Sequence, residues 1–221
     1  MSLLRRTDPA GMAKNELFPV FLKLNELHIL LVGAGKVGLE KLNAVLQNSP
    51  QAKVTVVSKA VSEDVRRLAA HYAQVLIHER DYVSEDLDHT DLAIVATGNA
   101  GLNRQIREDA GKKRVLINVA DKPELCDFYL GSVVQKGNLK IGISTNGKSP
   151  TVAKRLKEIL ADALPNELEE ALQNMNKLRE LLKGDFASKV QKLNEITQLL
   201  IMTEKPGSLS KDHDQNWFKN P

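Results

Sequence analysis

Short apolar runs alternate with amphipathic segments from Leu27 to Val119. Most of these runs are rich in Val, Ile and Leu without polar alternation, as expected of parallel strands that are covered on both faces. The runs are His28–Val32, Lys53–Ser58, Val75–Ile77, Asp91–Thr97 and Val115–Val119. Helical periodicity lies between them, over Val37–Gln47, Ser62–Ala73 and Ala100–Ala110, and Gly111 stands where a helix C-cap glycine is expected. The alternation predicts an α/β fold with a parallel sheet.

The pattern changes after the last of these runs. Ser132–Lys136 and Leu139–Ser144 are two strand-like runs joined only by Gly137-Asn138, which predicts a β-hairpin. Ser149 and Pro150 then form a helix start, an N-cap residue followed by proline. Three apolar stripes of helical spacing follow, and they predict a C-terminal helical domain interrupted by Pro165 and Gly184-Asp185. The stripes are Leu156, Ile159, Leu160 and Leu164; Leu168, Leu172, Met175, Leu178 and Leu182; and Val190, Leu193, Ile196 and Leu200.

A glycine motif connects the first predicted strand to the first predicted helix. In the pattern G-x-G-x-x-G, Gly33 makes the tight turn, Gly35 lets the backbone approach a pyrophosphate, and Gly38 lets helix and strand pack closely. Because strand, turn, helix and second strand are all in place, the motif predicts a Rossmann-type, dinucleotide-binding sheet. The alternative is a glycine turn that serves packing alone.

The end of the second strand departs from the usual pattern. Where an Asp or Glu normally holds the adenine ribose, the sequence has Val57-Ser58-Lys59. Ser58 is a candidate to form a hydrogen bond with a ribose hydroxyl, and Lys59 could tolerate a 2′-phosphate. The choice between NAD and NADP therefore stays open. Thr97-Gly98-Asn99, at the end of the fourth strand, is either a contact on the nicotinamide side or an ordinary strand-to-helix turn.

Asp121 follows the fifth strand, at the edge of the sheet where a cofactor would lie. A carboxylate there could act as a general base while a hydride leaves to the cofactor. The alternative is that Asp121 only begins a turn. No metal site or Ser-His-Asp triad is predicted, because the histidines are scattered without the spacing of metal ligands. They are His28, His71, His78, His89 and His213.

The segment Gly142–Ser149 matches the P-loop pattern G-x-x-x-x-G-K-[ST] letter for letter. Ile141 and Ile143 continue a strand alternation into the supposed loop, and Pro150 removes an amide directly after it. No apolar strand ending in Asp follows to hold magnesium. We therefore reject a P-loop, although a helix start beside Lys148 suits a carboxylate.

Composition excludes several classes of partner. The net charge of +3 comes without a long Lys/Arg block, and aromatic residues make up 4% of the chain, so no nucleic-acid partner is expected. The longest apolar stretch, Leu27–Val32, is too short to span a membrane. Cys126 is the single cysteine among 221 residues, which excludes an intrachain disulfide. These features favour a cytoplasmic protein without a membrane partner.

Several segments, in this order and spacing, carry a resemblance to a known family. They are Leu17–Leu24, Leu31–Gly38 with Glu40-Lys41, Ala96-Thr97 with Asn103, Asn118–Pro123 with Phe128, and Ser144–Pro150 with Ala153–Leu156. Together they resemble the siroheme-synthase N-terminal family, the precorrin-2 dehydrogenases, over most of the chain from Glu16 to Thr203.

The resemblance implies an NAD-dependent oxidoreductase that converts precorrin-2, a substrate with eight carboxylates, to sirohydrochlorin. It assigns acid/base catalysis to Asp121 and NAD contacts to Lys36-Val37 and Lys59-Ala60. The candidate cofactor contacts are thus Gly33, Gly35, Lys36, Val37, Gly38, Ser58, Lys59, Ala60 and Thr97. The candidate substrate contacts are Asn118, Thr145, Lys148 and Ser149.

The same resemblance implies a homodimer formed through the hairpin unit. The predicted organisation is a NAD-binding Rossmann domain over 15–120, a dimerisation region over 121–148, a helical domain over 149–204 and a flexible tail over 205–221. Some relatives also insert iron or cobalt into sirohydrochlorin, which leaves a ferrochelatase activity open. The alternative from another class is an NAD-sensing regulatory module without redox turnover.

Overall fold

Five parallel strands build the central sheet of the computed structural model, which describes residues 15–165 and 168–181 together with 188, 190 and 191. The strands are β1 (His28–Ala34), β2 (Lys53–Val61), β3 (Val75–Glu79), β4 (Leu92–Val95) and β5 (Leu116–Val119). They lie in the order β3-β2-β1-β4-β5. The helices α1 (Lys36–Asn48), α2 (Glu63–Ala69) and α3 (Ala100–Lys113) connect β1 to β2, β2 to β3 and β4 to β5, and a 3-10 helix over Ser84–Leu87 lies between β3 and β4. The predicted Rossmann-type sheet is confirmed, with its topological switch point between β1 and β4.

Both faces of the sheet are buried. Successive side chains of a strand point to opposite faces, so β1 contributes Ile29 and Leu31 to one apolar cluster and Leu30 and Val32 to the other. The first cluster includes buried side chains of α1 and α2, and the second includes buried side chains of α3. This burial on two sides explains why the strands read as apolar runs without alternation.

Some element ends differ from the prediction. The prediction of Gly111 as a C-cap is wrong, because α3 continues to Lys113 and Arg114 adopts the left-handed conformation with φ 59°. Val115, buried in the second cluster, fixes the place of this turn, and its N–H donates to the Ala110 carbonyl at 2.9 Å. In addition, β2 extends beyond Ser58, and α2 ends before Ala73.

A hairpin and two helices follow the sheet. The hairpin consists of β6 (Ser132–Lys136) and β7 (Leu139–Ile143), and the helices are α4 (Pro150–Ala163) and α5 (Leu168–Leu181). Ser149 caps α4 as predicted, since its hydroxyl accepts from the Val152 N–H at 3.2 Å. Because β7 continues through Gly142 and Ile143, the segment does not form a P-loop. The third predicted helix lies outside the described residues, apart from 188, 190 and 191. The tail over 205–221 lies outside them as well.

The chain divides into two compact units. One comprises the described residues up to Val133 together with Gly142–Lys157, and the other comprises Val134–Ile141 with the described residues from Glu158 onward. Inside the second unit, the Glu169 carboxylate accepts from the backbone N–H and the side-chain amide of Asn138, each at 2.6 Å. The domain boundaries given above stay a prediction. In the described part of the chain, no helix is long and apolar enough to cross a membrane.

Candidate functional site

Two glycines of the motif are required by the packing of the chain itself. Gly33 has φ +102°, and a Cβ at this position would lie 2.5 Å from the carbonyl oxygen of Ala96. A Cβ at Gly38 would overlap the Gly33 carbonyl group, 2.9 Å from its carbon. Gly33 therefore allows β1 to approach the end of β4, and Gly38 allows α1 to approach β1.

Gly35 is different, because nothing in its own chain requires a glycine. It is the exposed N-cap residue of α1, and no atom lies within 4 Å of the place where its Cβ would be. The first N–H groups of α1, including those of Lys36 and Val37, have no partner within the helix. The open space at Gly35 together with these donors fits a pyrophosphate at a helix N-terminus, so the residues present fit a dinucleotide cofactor.

We expect the substitution Gly38→Ala to destabilise the protein by about 3 kcal/mol or more. The added methyl group would meet backbone on the Gly33 side, which cannot move aside as a flexible side chain can. Denaturant unfolding measures the loss in the free energy of unfolding. The matched control is Gly111→Ala, an exposed helical position with open space around the Cβ, where no loss is expected. Equal stability of the two variants would contradict this packing argument.

The end of β2 forms a bulge beside the glycine loop. Val57 pairs with Val32 and Val61 pairs with Ala34, so the three residues Ser58, Lys59 and Ala60 of β2 oppose one residue of β1. The Ser58 hydroxyl accepts from the Ala34 N–H at 3.2 Å and donates to the Ala60 carbonyl at 2.8 Å. Ser58 thus connects the bulge to the glycine loop, and its only proton is already donated within the chain.

The end of β4 is held by a network of side chains. The Thr97 hydroxyl donates to the side-chain oxygen of Asn103, which is 3% exposed, and accepts from the Asn99 N–H at 3.3 Å. Asn99 caps α3 by accepting from Gly101 N at 3.0 Å and from Leu102 N at 3.1 Å. The Thr97 side chain therefore shapes the turn at the switch point, and its contact to a cofactor stays a prediction.

Asp121 lies in a tight turn directly after β5. The turn is closed by a hydrogen bond from Lys122 N to the Val119 carbonyl at 3.2 Å, and Ala120 N donates to the Val95 carbonyl at 2.8 Å. Asp121 is exposed and has φ 58°, a conformation that few non-glycine residues adopt. Within the described residues its carboxylate has no hydrogen bond or ion pair. An unpartnered carboxylate on a sparsely populated backbone conformation is typical of a functional position.

The side chain of Cys126 contacts the backbone of this turn, a role that the sequence did not predict. Its sulfur lies 3.2 Å from Val119 N, 3.2 Å from Val119 O and 3.3 Å from Lys122 O. The pKa of the thiol lies above its ordinary value, because burial raises it more than the hydrogen bond from Val119 lowers it. The group therefore stays a neutral thiol that can donate to the turn carbonyls.

The candidate substrate contacts lie in two places. Asn118 is buried in β5, and its amide donates to the Phe128 carbonyl at 2.8 Å. The Thr145 hydroxyl accepts from the Ser149 N–H at 3.3 Å and donates to the Ser149 carbonyl at 3.1 Å, while Lys148 is exposed beside them. Among the described residues, no hydrogen bond or ion pair joins this loop to Asp121. Their contacts to a substrate stay predictions.

Metal-binding side chains do not cluster in the part of the chain that the structure describes. No group of three or more His, Cys, Asp or Glu residues there could hold a metal ion. His28, at the start of β1, is 3.1 Å from the His89 carbonyl and 2.8 Å from the Thr55 hydroxyl through its two ring nitrogens. This histidine connects neighbouring elements of the sheet.

Comparisons with known proteins identify the family. Residues 20–132 match a family described as putative NAD(P)-binding, and residues 136–163 match one described as sirohaem biosynthesis protein central. The siroheme synthase of Pseudoalteromonas atlantica is 36% identical over 77% of this chain, and that of Psychrobacter cryohalolentis is 34% identical over 80%.

In these two relatives the matched region is 36% and 32% of the full length, so the chain spans about a third of each. The solved structure of SirC, a precorrin-2 dehydrogenase, is 26% identical with a TM-score of 0.66 and covers 81% of this chain and 89% of its own. The chain belongs to the family of putative NAD(P)-binding proteins that its residues 20–132 match, and it is similar to siroheme synthases and to a precorrin-2 dehydrogenase.

Proposed function

We propose that this chain catalyses the NAD-dependent oxidation of precorrin-2 to sirohydrochlorin. The likeness to the precorrin-2 dehydrogenase SirC supports this activity, since it extends over the sheet, the hairpin and the helices rather than over the nucleotide-binding half alone. The siroheme synthase relatives support the same reaction class, although they are about three times as long as the matched region.

The observation that carries the proposal is the unpartnered carboxylate of Asp121 beside a dinucleotide site. Parallel strands end at one edge of the sheet, so Asp121 after β5 and the glycine loop after β1 lie at the same edge. A cofactor-sensing module would need the glycine loop, but it would not need a carboxylate held ready on this turn.

Gly35 and the N-terminal amides of α1 would hold the pyrophosphate, and the bulge Ser58–Ala60 would lie at the adenine ribose. Bound NAD supplies the hydride acceptor. The oxidation removes one hydride and one proton from precorrin-2, and Asp121 accepts the proton. The Cys126 thiol and the Val119–Lys122 turn keep the carboxylate in place during this transfer.

Two further assignments are part of the proposal. Lys148 and the start of α4 would meet substrate carboxylates, because a helix N-terminus and an ammonium group both favour anions. The hairpin β6–β7 would form the contact of a homodimer. A second activity, insertion of iron or cobalt into sirohydrochlorin, stays a prediction.

The test is an anaerobic incubation of the purified protein with precorrin-2 and NAD. We expect NADH and sirohydrochlorin to appear in equal amounts, the first by its absorbance and the second by its spectrum. NAD binding without NADH formation would overturn the proposal. In that case, addition of Co²⁺ and sirohydrochlorin separates a chelatase, which forms the metal complex, from a sensing module, which does not.

A further inference from the structure

The Lys and Arg side chains at the adenine-ribose corner of the sheet are all paired with carboxylates. This corner consists of the bulge of β2, helix α2 and the residue after β3. The pairs are Lys59 with Asp81 at 3.0 Å, Arg66 with Glu79 at 2.5 Å, Arg80 with Asp86 at 2.5 Å, and Arg67 with Asp64. Within the described residues, no Lys or Arg side chain of this corner is left without an acidic partner.

Two of these carboxylates are committed to the backbone as well. Glu79 also accepts from Val61 N at 3.2 Å, and its hydrogen bond with Arg66 holds its pKa below the ordinary value. The Asp86 side chain is 6% exposed and accepts from Val83 N at 2.9 Å. Burial raises the pKa of Asp86, but its hydrogen bonds with Arg80 and Val83 outweigh burial and lower the pKa overall. The pairs Arg66–Glu79 and Arg80–Asp86 therefore stabilise the backbone of this corner.

The pair of Lys59 and Asp81 is different, since both side chains are largely exposed, at 77% and 69%. Neither side chain makes another hydrogen bond within the described residues. Lys59 lies in the bulge that Ser58 connects to the glycine loop, where dinucleotide-binding folds hold the 2′-hydroxyl of NAD or the 2′-phosphate of NADP. This pair is therefore free to respond to a bound ribose.

We propose that Asp81 determines the choice of cofactor. Asp81 neutralises Lys59, the one cation at the end of β2, and its own charge repels a 2′-phosphate, so the site selects NAD over NADP. Asp81 thereby supplies the negative charge that β2 lacks at Val57-Ser58-Lys59. The inference deepens the proposed function by naming the determinant of its cofactor, and it rests on the dinucleotide site rather than on the reduced substrate.

The test measures the Kd of NAD and of NADP by titration calorimetry at low ionic strength. In Asp81→Asn we expect NADP to bind about five-fold tighter, the effect of one unit charge at contact distance in water. NAD should change by less than about two-fold, because its ribose carries no charge there. The gain for NADP should shrink at high salt, since both side chains are exposed.

Two further variants sharpen the result. Adding Lys59→Ala to Asp81→Asn should remove the gain for NADP, because the released ammonium group is then absent. Asp88→Asn is the matched control, since Asp88 pairs with Lys113 at 2.5 Å at the end of α3, away from this corner. Both Kd values should stay unchanged in this control.

An unchanged ratio of the two Kd values in Asp81→Asn would overturn the inference, and so would a wild-type protein that binds NADP as tightly as NAD. A failure of the proposed function has another result, which is normal NAD binding without turnover of precorrin-2. The two failures are thus distinguishable. Thermal unfolding of Asp81→Asn should match that of the wild type, since an exposed ion pair contributes little to stability.

Discussion

Asp121→Asn should lower kcat for precorrin-2 oxidation by about 10²- to 10⁴-fold, the usual contribution of a general base. Asn is the appropriate replacement because it tolerates the left-handed conformation that φ 58° requires, and it keeps the size of the side chain. Alanine would add backbone strain of about 1–2 kcal/mol at this position, which would mix a loss of stability with a loss of chemistry. Anaerobic turnover with NADH detection gives the rate, and calorimetry gives the Kd of NAD, which should stay within about two-fold of the wild type.

Glu124→Gln is the control for Asp121→Asn. Glu124 is an exposed carboxylate that follows the same turn, and its loss removes the same charge from the same region. Turnover should persist in this variant. If Asp121→Asn retained full kcat, or if Glu124→Gln lost as much as Asp121→Asn, the carboxylate of Asp121 would not be the base, and the proposed reaction would need another proton acceptor.

The parallel sheet could be predicted because strands that are buried on both faces are apolar runs without polar alternation. The run Ile29–Val32 of β1 and most of β5 consist of Val, Ile and Leu, and the helices between the strands keep helical spacing. The ends of elements were less predictable. Arg114 takes a left-handed position that the sequence suggested for Gly111, because the burial of Val115 decides where α3 must stop.

The candidate site shows the same division. The glycine motif is local, so a separate role for each of Gly33, Gly35 and Gly38 could be predicted from the sequence. The position of Asp121 at an edge of the sheet could be predicted as well. The ion pair between Lys59 and Asp81 joins residues that only the tertiary fold brings together, and the contacts of Cys126 with Val119 and Lys122 depend on the conformation of the turn between them. No spacing rule indicates such contacts, and the bulge in β2 depends on its pairing with β1.

Gly35→Val should abolish NAD binding while the protein keeps its fold. No protein atom lies within 4 Å of the Cβ position of Gly35, so the first atom of a side chain added there meets none. The same side chain would occupy the space in front of the N-terminal amides of α1, where a pyrophosphate has to approach the backbone. We expect the Kd of NAD to rise by about 100-fold or more, since the pyrophosphate would lose its charge-assisted hydrogen bonds to these amides. Turnover should be lost with it.

Gly111→Val is the matched control, because Gly111 is also exposed with open space around its Cβ, but on α3 away from the glycine loop. The free energy of unfolding of both variants should stay within about 1 kcal/mol of the wild type, because Val is a poorer N-cap than Gly at position 35 but a better helix former than Gly at position 111. Calorimetry with NAD then separates them, since Gly111→Val should bind normally. Normal NAD binding by Gly35→Val would mean that the motif serves packing alone. A Gly35→Val protein that fails to fold would contradict the open space at this position. Loss of NAD binding with an intact fold would show that glycine is required at position 35 for cofactor binding, whereas Gly33 and Gly38 are required for packing.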